Sequence, residues 1–461
     1  MIGYSILILC FGFLLFFLPL VSPEGIAEEE MRSTVASTEL SMEGVAQGDV
    51  ANLPYRLLQK ASISVFGLSL YAIKLPSIII AGATAVLMVL LLNRWFKSNV
   101  AIIASAITAL SSAFLFLAGF GAPVIMYLFW LTLLLWMGSK ILGVDRPHPM
   151  LVSCFVIALT FSLYTPYLVY IALLVAIAAI AHPHTRFTIK KFKPNQIFVC
   201  VALFAIIASP LIVTTVTRPE MLAGLLFNTG NFNYADNVIS AFAPFFSFGL
   251  AYESVFLSPL FGLATVVLIF IGILASVGKL FTSRNTVVSL LVIFAILISG
   301  VEPNVATVIV IPIAVLVAAG LESIIEKWYS LFPENPYARV FGLLPVATFT
   351  GIIVISSLSH FTFGYHYTPV VANSFNNDIT LINENLRAGM VLLVPADTME
   401  FRFYKNLEGQ NGITVTGALP DRTDMTVVTL GKWEEPIDLP LSRIVTSQKS
   451  QTSDRLYIYN N

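Results

Sequence analysis

The sequence predicts an all-α polytopic membrane protein with a small α/β extracytoplasmic domain at its C-terminal end. Three observations carry that reading. Of 461 residues, 57% are hydrophobic and 11% are charged, and the mean hydropathy is +0.86. A soluble globular chain carries roughly 25% charged residues. The apolar residues fall into runs that can cross a hydrocarbon core about 30 Å thick, which takes about 20 residues of helix. Charge is uneven, since residues 359–461 hold 19 of the 51 charged residues. This composition excludes a water-soluble enzyme, a coiled coil and a disordered chain. A net charge of −1 offers no basic surface for nucleic acid. Cys10, Cys154 and Cys200 lie in apolar runs and build neither a disulfide framework nor a zinc cluster.

About eleven spans are expected, at 2–21, 69–92, 99–117, 121–142, 151–164, 167–181, 196–216, 254–278, 286–300, 304–321 and 340–358. Pro166 in "YTPY" interrupts what would otherwise be one helix over 151–181. Residues 2–21 lack a charged n-region and read as a retained helix rather than a signal peptide. Two domains follow: a membrane body over 1–358, with an outer loop at 22–68, and a polar domain over 359–461. In the latter, "MVLLVPA", "GITVTGA", "MTVVTLG", "SRIVTS" and "RLYIYNN" read as strands, with a helix near 373–388.

Basic residues orient the chain. The segments 93–98, 140–149, 182–195, 279–285 and 322–339 hold 12 Lys and Arg; the alternate segments before residue 359 hold 5. The positive-inside rule puts the first set in the cytoplasm. The N-terminus is then inside, and loops 22–68 and 217–253 share the outer face with the C-terminal domain. The chain has no N-x-[ST] sequon, which favours a prokaryotic cell membrane.

The outer loop concentrates acid. In "AEEEMRSTVAST", Glu28, Glu29 and Glu30 precede Arg32. On a helix they fan over about 200°, so they cannot all enter one pocket. Arg32 can pair with Glu28 or Glu29 by spacing. By itself the cluster reads as a solvated acidic face. A second interfacial helix begins at Pro54 with Arg56 and Lys60, and "LYAIKLPSIII" enters the next span with Lys74 near the lipid boundary.

The order of an acidic outer loop, "LPY…L…FGLS…KLPSII" and "LLLNRWFKSNVAIIASAITALSSAFLFLAGFGAP" resembles the GT-C superfamily of membrane glycosyltransferases. The branch resembled contains the protein O-mannosyltransferases and the lipid A aminoarabinose transferase. The resemblance covers most of residues 1–380 and implies transfer of a sugar from a polyprenyl-phosphate donor to a protein, lipid or glycan acceptor on the outer face. It implies a carboxylate at the acidic pair as general base, here Glu30 or Glu29. Glu30 is preferred because Arg32 has no helical register to it. Arg56, Lys60, Lys74 and Arg218 are the cations expected at the donor phosphate. The chain departs from the family in having Glu-Glu for Asp-Glu, Lys74 for an arginine, and Gly119 or Phe120 where many members have an arginine.

No cofactor is expected. A divalent metal is the alternative, with Glu28–Glu30, Asp236 and Glu253 as available oxygens but no spaced motif. His360 and His366, beside Tyr365 and Tyr367, read as part of an interface belt or as a metal or substrate pair. The alternative function is a non-catalytic relative or a lipid-linked-sugar transporter. A transporter would favour acids and glycine breaks within central helices or an inverted repeat.

Overall fold

In a computed structural model, residues 12–17, 22–144, 147–181, 186–187, 191–226, 233–246, 257–278, 282–331, 337, 341, 343–372, 374–408, 412–419, 425–431, 433, 437–446 and 455–460 are described. Most of the expected first span, and Glu253, lie outside them. Among the described residues, five helices are long and apolar enough to cross a membrane: Leu70–Trp95, Ile125–Leu142, Pro194–Thr217, Pro303–Leu331 and Leu344–Tyr367. Shorter apolar helices span Pro149–Ser162, Leu263–Val277 and Arg284–Ser299.

One expected span is broken, and the break expected at Pro166 is present. The apolar run at 99–117 forms two helices, Ser98–Ala109 and Ser112–Gly119, bent by 62°. Ser111 makes the break: its Oγ accepts the Phe114 N–H at 3.3 Å, starting a new helix rather than continuing the old one. All eight residues of Ser112–Gly119 are buried, so this piece runs through the protein interior. The second break, at residues 163–168, separates Pro149–Ser162 from Val169–Ala181 and carries Tyr167 at φ 63°.

The last long helix runs nine residues beyond the expected 358, and Pro369 follows its end. His360 and Tyr365 therefore lie within the helix. Tyr365 is fully buried, and its hydroxyl accepts the Leu257 N–H at 3.1 Å.

Four of the basic segments meet at one end among the described residues. The Arg94 guanidinium donates to Ser139 O at 3.3 Å. Arg284 lies 4.5 Å over the Phe96 ring and 3.9 Å from Glu322. The acidic loop, the 301–304 turn and the C-terminal unit meet at the other end, where Ile26 and Asn376 exchange backbone hydrogen bonds of 2.8 and 3.0 Å.

The C-terminal unit is a five-stranded sheet of order β2-β1-β3-β5-β4. Its strands are β1 Val391–Leu393, β2 Thr414–Thr416, β3 Val427–Leu430, β4 Leu441–Thr446 and β5 Arg455–Tyr459. β1 is parallel to β2 and β3; β5 is antiparallel to β3 and β4. The sheet does not build its core alone. Leu392, Phe403, Tyr404 and Ile382 share one apolar cluster with Ile26, Met31, Val35, Ile63, Leu68 and Ile73 of the first loop and the helix that follows it. Loop 22–68 and the C-terminal residues thus form a single layer.

Candidate active site

The helix Glu28–Thr38 begins at Ala27, and its three acids share the first turn, where the N-terminal dipole favours negative charge. The three glutamates have different fates. Glu28 takes the arginine: Arg32 Nη2 lies 2.5 Å from Glu28 Oε1, and both side chains are exposed.

Glu30 points inward and is fully buried. Its Oε2 accepts the Ala27 N–H at 2.8 Å, closing the helix end, and its Oε1 accepts the Gly121 N–H at 2.6 Å. Burial raises its proton affinity above the ordinary range; the Lys74 charge and the two backbone N–H groups oppose that rise. Gly121 permits the approach, because a Cβ there would sit 2.7 Å from Ile73 Cγ2 and 3.0 Å from Glu30 Oε1.

Around this contact the polar groups are matched. Gln59, fully buried on Leu53–Phe66, donates to Gly121 O at 2.8 Å and Ile73 O at 3.2 Å. Its amide oxygen accepts Ser37 Oγ at 2.7 Å and Ser33 Oγ at 3.0 Å. Ser77 Oγ donates to Phe120 O at 2.6 Å and meets the Tyr55 hydroxyl at 2.8 Å. The "GFGA" stretch at the end of the buried helix anchors the acidic helix through Gly121.

Glu29 is the acid left over, and it is half-buried. Asn304 Nδ2 donates to its Oε1 at 3.3 Å. Glu302, two residues earlier, accepts the Asn304 N–H at 3.4 Å and starts the 3-10 helix Pro303–Ile309. Burial pushes the Glu29 carboxyl up, and the Glu302 charge adds to the rise; Asn304 and Arg32 oppose it, while Glu30 reinforces it. Burial also pushes Glu302 up. Tyr127 and Tyr167, both nearly buried, lie within electrostatic reach of Glu302, and Tyr127 also within reach of Glu29.

The four cations expected at a phosphate are dispersed. Arg56 binds Asp49 at 2.5 and 2.7 Å and also donates to Ala36 O. Lys60 Nζ donates to Leu40 O and Thr38 O, satisfying carbonyls past the C-terminal turn of Glu28–Thr38. Lys74 is fully buried; its Nζ donates to Pro23 O at 2.9 Å and its charge offsets that of Glu30. Arg218 is exposed at the C-terminal end of Pro194–Thr217. The structure therefore brings Glu29, Glu30 and Lys74 together, with Glu302 and Asn304 beside them, and commits Arg56 and Lys60 to the protein's own carboxylate and carbonyls. Asp236 lies on Tyr234–Phe246, a helix held to the same end by Asn237 Nδ2 donating to Gly300 O at 3.1 Å.

Glu302 escaped the sequence reading. Its signal was available: a lone carboxylate in "SGVEPN" between two apolar runs, on the same side as the acidic loop. Among the described residues, no three His, Cys, Asp or Glu side chains come together as a metal-binding group.

Residues 53–213 match the family model for dolichyl-phosphate-mannose-protein mannosyltransferase. No curated protein sequence matches the chain. Its fold is similar to that of ArnT from Cupriavidus metallidurans bound to undecaprenyl phosphate, with 13% identity, TM-score 0.52, and 100% of this chain and 98% of that chain covered. For ArnT in the apo state the values are 11%, 0.55, 100% and 98%. At these identities the likeness is one of fold. The segment 53–213 thus resembles the protein-mannosyltransferase family, and the fold is similar to that of ArnT.

Proposed function

We propose that the chain moves a sugar from a polyprenyl-phosphate donor to a hydroxyl-bearing acceptor at the outer face of the cell membrane, with Glu29 as general base. The observation that carries the reading is the division of labour in the acidic turn. Glu28 is ion-paired, Glu30 has both oxygens taken by backbone N–H groups, and Glu29 keeps a half-buried carboxyl with raised proton affinity. The binding of undecaprenyl phosphate by ArnT supports a lipid-phosphate donor.

In the reaction the acceptor oxygen attacks the anomeric carbon and its proton passes to Glu29. The bond from anomeric carbon to phosphate oxygen breaks, and the polyprenyl phosphate leaves with that electron pair. A base whose proton affinity is raised towards working pH suits this step. Arg218, exposed on the outer side, is the cation we assign to the leaving phosphate; developing charge there needs a donor beside it. Transfer runs without a metal cofactor. The acceptor is a protein, lipid or glycan, and the N-terminus is cytoplasmic.

Purified protein in vesicles, given polyprenyl-phosphate sugars and candidate acceptors, tests the proposal. Covalent transfer is expected, and Glu29→Gln should lower it by about 10²-fold or more. Lipid movement between leaflets without transfer would replace this reading with a transporter. Activity lost to a chelator and restored by Mg²⁺ or Mn²⁺ would overturn the metal-free step.

A further inference from the structure

The turn at 301–304 reaches Glu29 from 275 residues further along the chain. It is a stiff platform. Val305, Ala306, Thr307, Val308 and Ile309 behind it are all buried, and Asn304 O accepts Thr307 Oγ1 at 2.8 Å. The Asn304 side chain is therefore aimed before any substrate arrives, and its amide engages Oε1 of Glu29. Oε2 is the oxygen left to face an acceptor hydroxyl.

We propose that Asn304 is a positioning residue for Glu29, and that Glu302, whose side chain accepts the Asn304 N–H on the same turn, is the charge partner of Glu29. This rests on the reading of Glu29 as base. The groups facing Glu29 are Glu30 and Arg32 on its own helix, Glu302 and Asn304 on the turn, and Tyr127 on Ile125–Leu142. Arg32 is engaged by Glu28. The two groups on the turn act in opposite senses. An amide donor favours the carboxylate; a neighbouring carboxylate favours the protonated acid. Such a pair gives variants of opposite sign at one titrating group.

The test is the pH profile of kcat/KM for transfer in vesicles. Asn304→Ala should move the acidic limb to higher pH and lower the rate at least tenfold below that limb. Glu302→Gln should move the same limb to lower pH; it keeps an oxygen able to accept the Asn304 N–H, so it carries the test even where Asn304→Ala folds poorly. A loss equal at every pH, or no movement of the limb, means the turn is structural only and overturns the proposal. A second readout is independent of turnover: the infrared carbonyl band of the protonated carboxyl, assigned to Glu29 by its loss in Glu29→Gln. Its titration should shift in the same two directions. If it shifts while Glu29→Gln still transfers sugar normally, the pairing stands and the base assignment falls.

Discussion

Glu30 and Gly121, 91 residues apart, are joined by one hydrogen bond in which the Gly121 N–H donates to Glu30 Oε1 at 2.6 Å. The bond ties the acidic helix of the outer loop to the end of a buried helix in the membrane body. With Oε2 on the Ala27 N–H, both Glu30 oxygens are engaged by backbone donors.

Glu30→Gln should therefore be a stability variant. An amide group cannot accept both N–H donors, and a buried unsatisfied donor costs about 1–3 kcal/mol. Gly121→Ala should cost a similar amount, about 1–3 kcal/mol, through overpacking against Ile73 and Glu30. Thermal unfolding in detergent should show both with lowered midpoints and Glu29→Gln without one. A Glu30→Gln protein as stable as the parent but inactive would return Glu30 to the role of base.

Stability should also depend on pH through Glu29 and Glu302. Both carboxyls are raised above the ordinary value of 4.5, so the folded state holds their protons more tightly than the unfolded state. Their contribution is fully present below that value and is lost as pH rises through the raised folded values. Glu302→Gln removes the penalty. Its unfolding midpoint should exceed the parent's at pH 7, and the gap should close near pH 4. A gap that is the same at both pH values would contradict the assignment.

The layer formed by loop 22–68 and the C-terminal residues should respond to its apolar core rather than to its ion pairs. Phe403 is fully buried in the cluster shared by loop 22–68 and the C-terminal sheet. Phe403→Ala should cost about 3–5 kcal/mol. The neighbouring pair Arg402–Glu39 also joins the two segments, but its side chains are 53% and 48% exposed. Arg402→Ala should cost about 1 kcal/mol or less. Limited proteolysis of loop 22–68 reads the difference: accelerated cleavage in Phe403→Ala, little change in Arg402→Ala. The reverse order would mean that the two segments are held by charge.

How much of this was legible in the sequence depends on whether the deciding contact is local. The five strands lie within the runs read as strands, save that β4 begins one residue earlier, and the helix expected near 373–388 is Asp378–Asn385. The break at "YTPY" follows from one proline. The break at Ser111 was hidden, because the apolar run continues through it and only a serine cap divides it. At the site, spacing allowed Arg32 either Glu28 or Glu29, and it takes Glu28. What separates Glu29 from Glu30 is Gly121 on one side and Asn304 on the other, 91 and 275 residues away, so no local pattern could rank them. The partners of the expected phosphate cations were hidden too. A basic residue near an outer loop looks available until Asp49 and the Leu40 and Thr38 carbonyls are seen to hold Arg56 and Lys60.

Orientation is the remaining prediction, and it follows from which residues share an end. Arg94 and Ser139, and Arg284 with Phe96, hold Lys- and Arg-rich segments together. Ile26 with Asn376, and Glu29 with Asn304, gather the acidic loop and the sheet at the other end. With two ends so unlike in basic charge, the positive-inside rule assigns the first to the cytoplasm. Single cysteines in a background lacking Cys10, Cys154 and Cys200 can check it. Lys405→Cys sits on the sheet side, with a side chain 52% exposed, and Val144→Cys on the basic side, also 52% exposed. A membrane-impermeant maleimide should label Lys405→Cys in intact spheroplasts and Val144→Cys only after permeabilisation. The opposite pattern would place Glu29 in the cytoplasm, and the transfer proposed for the outer face would then be impossible as written.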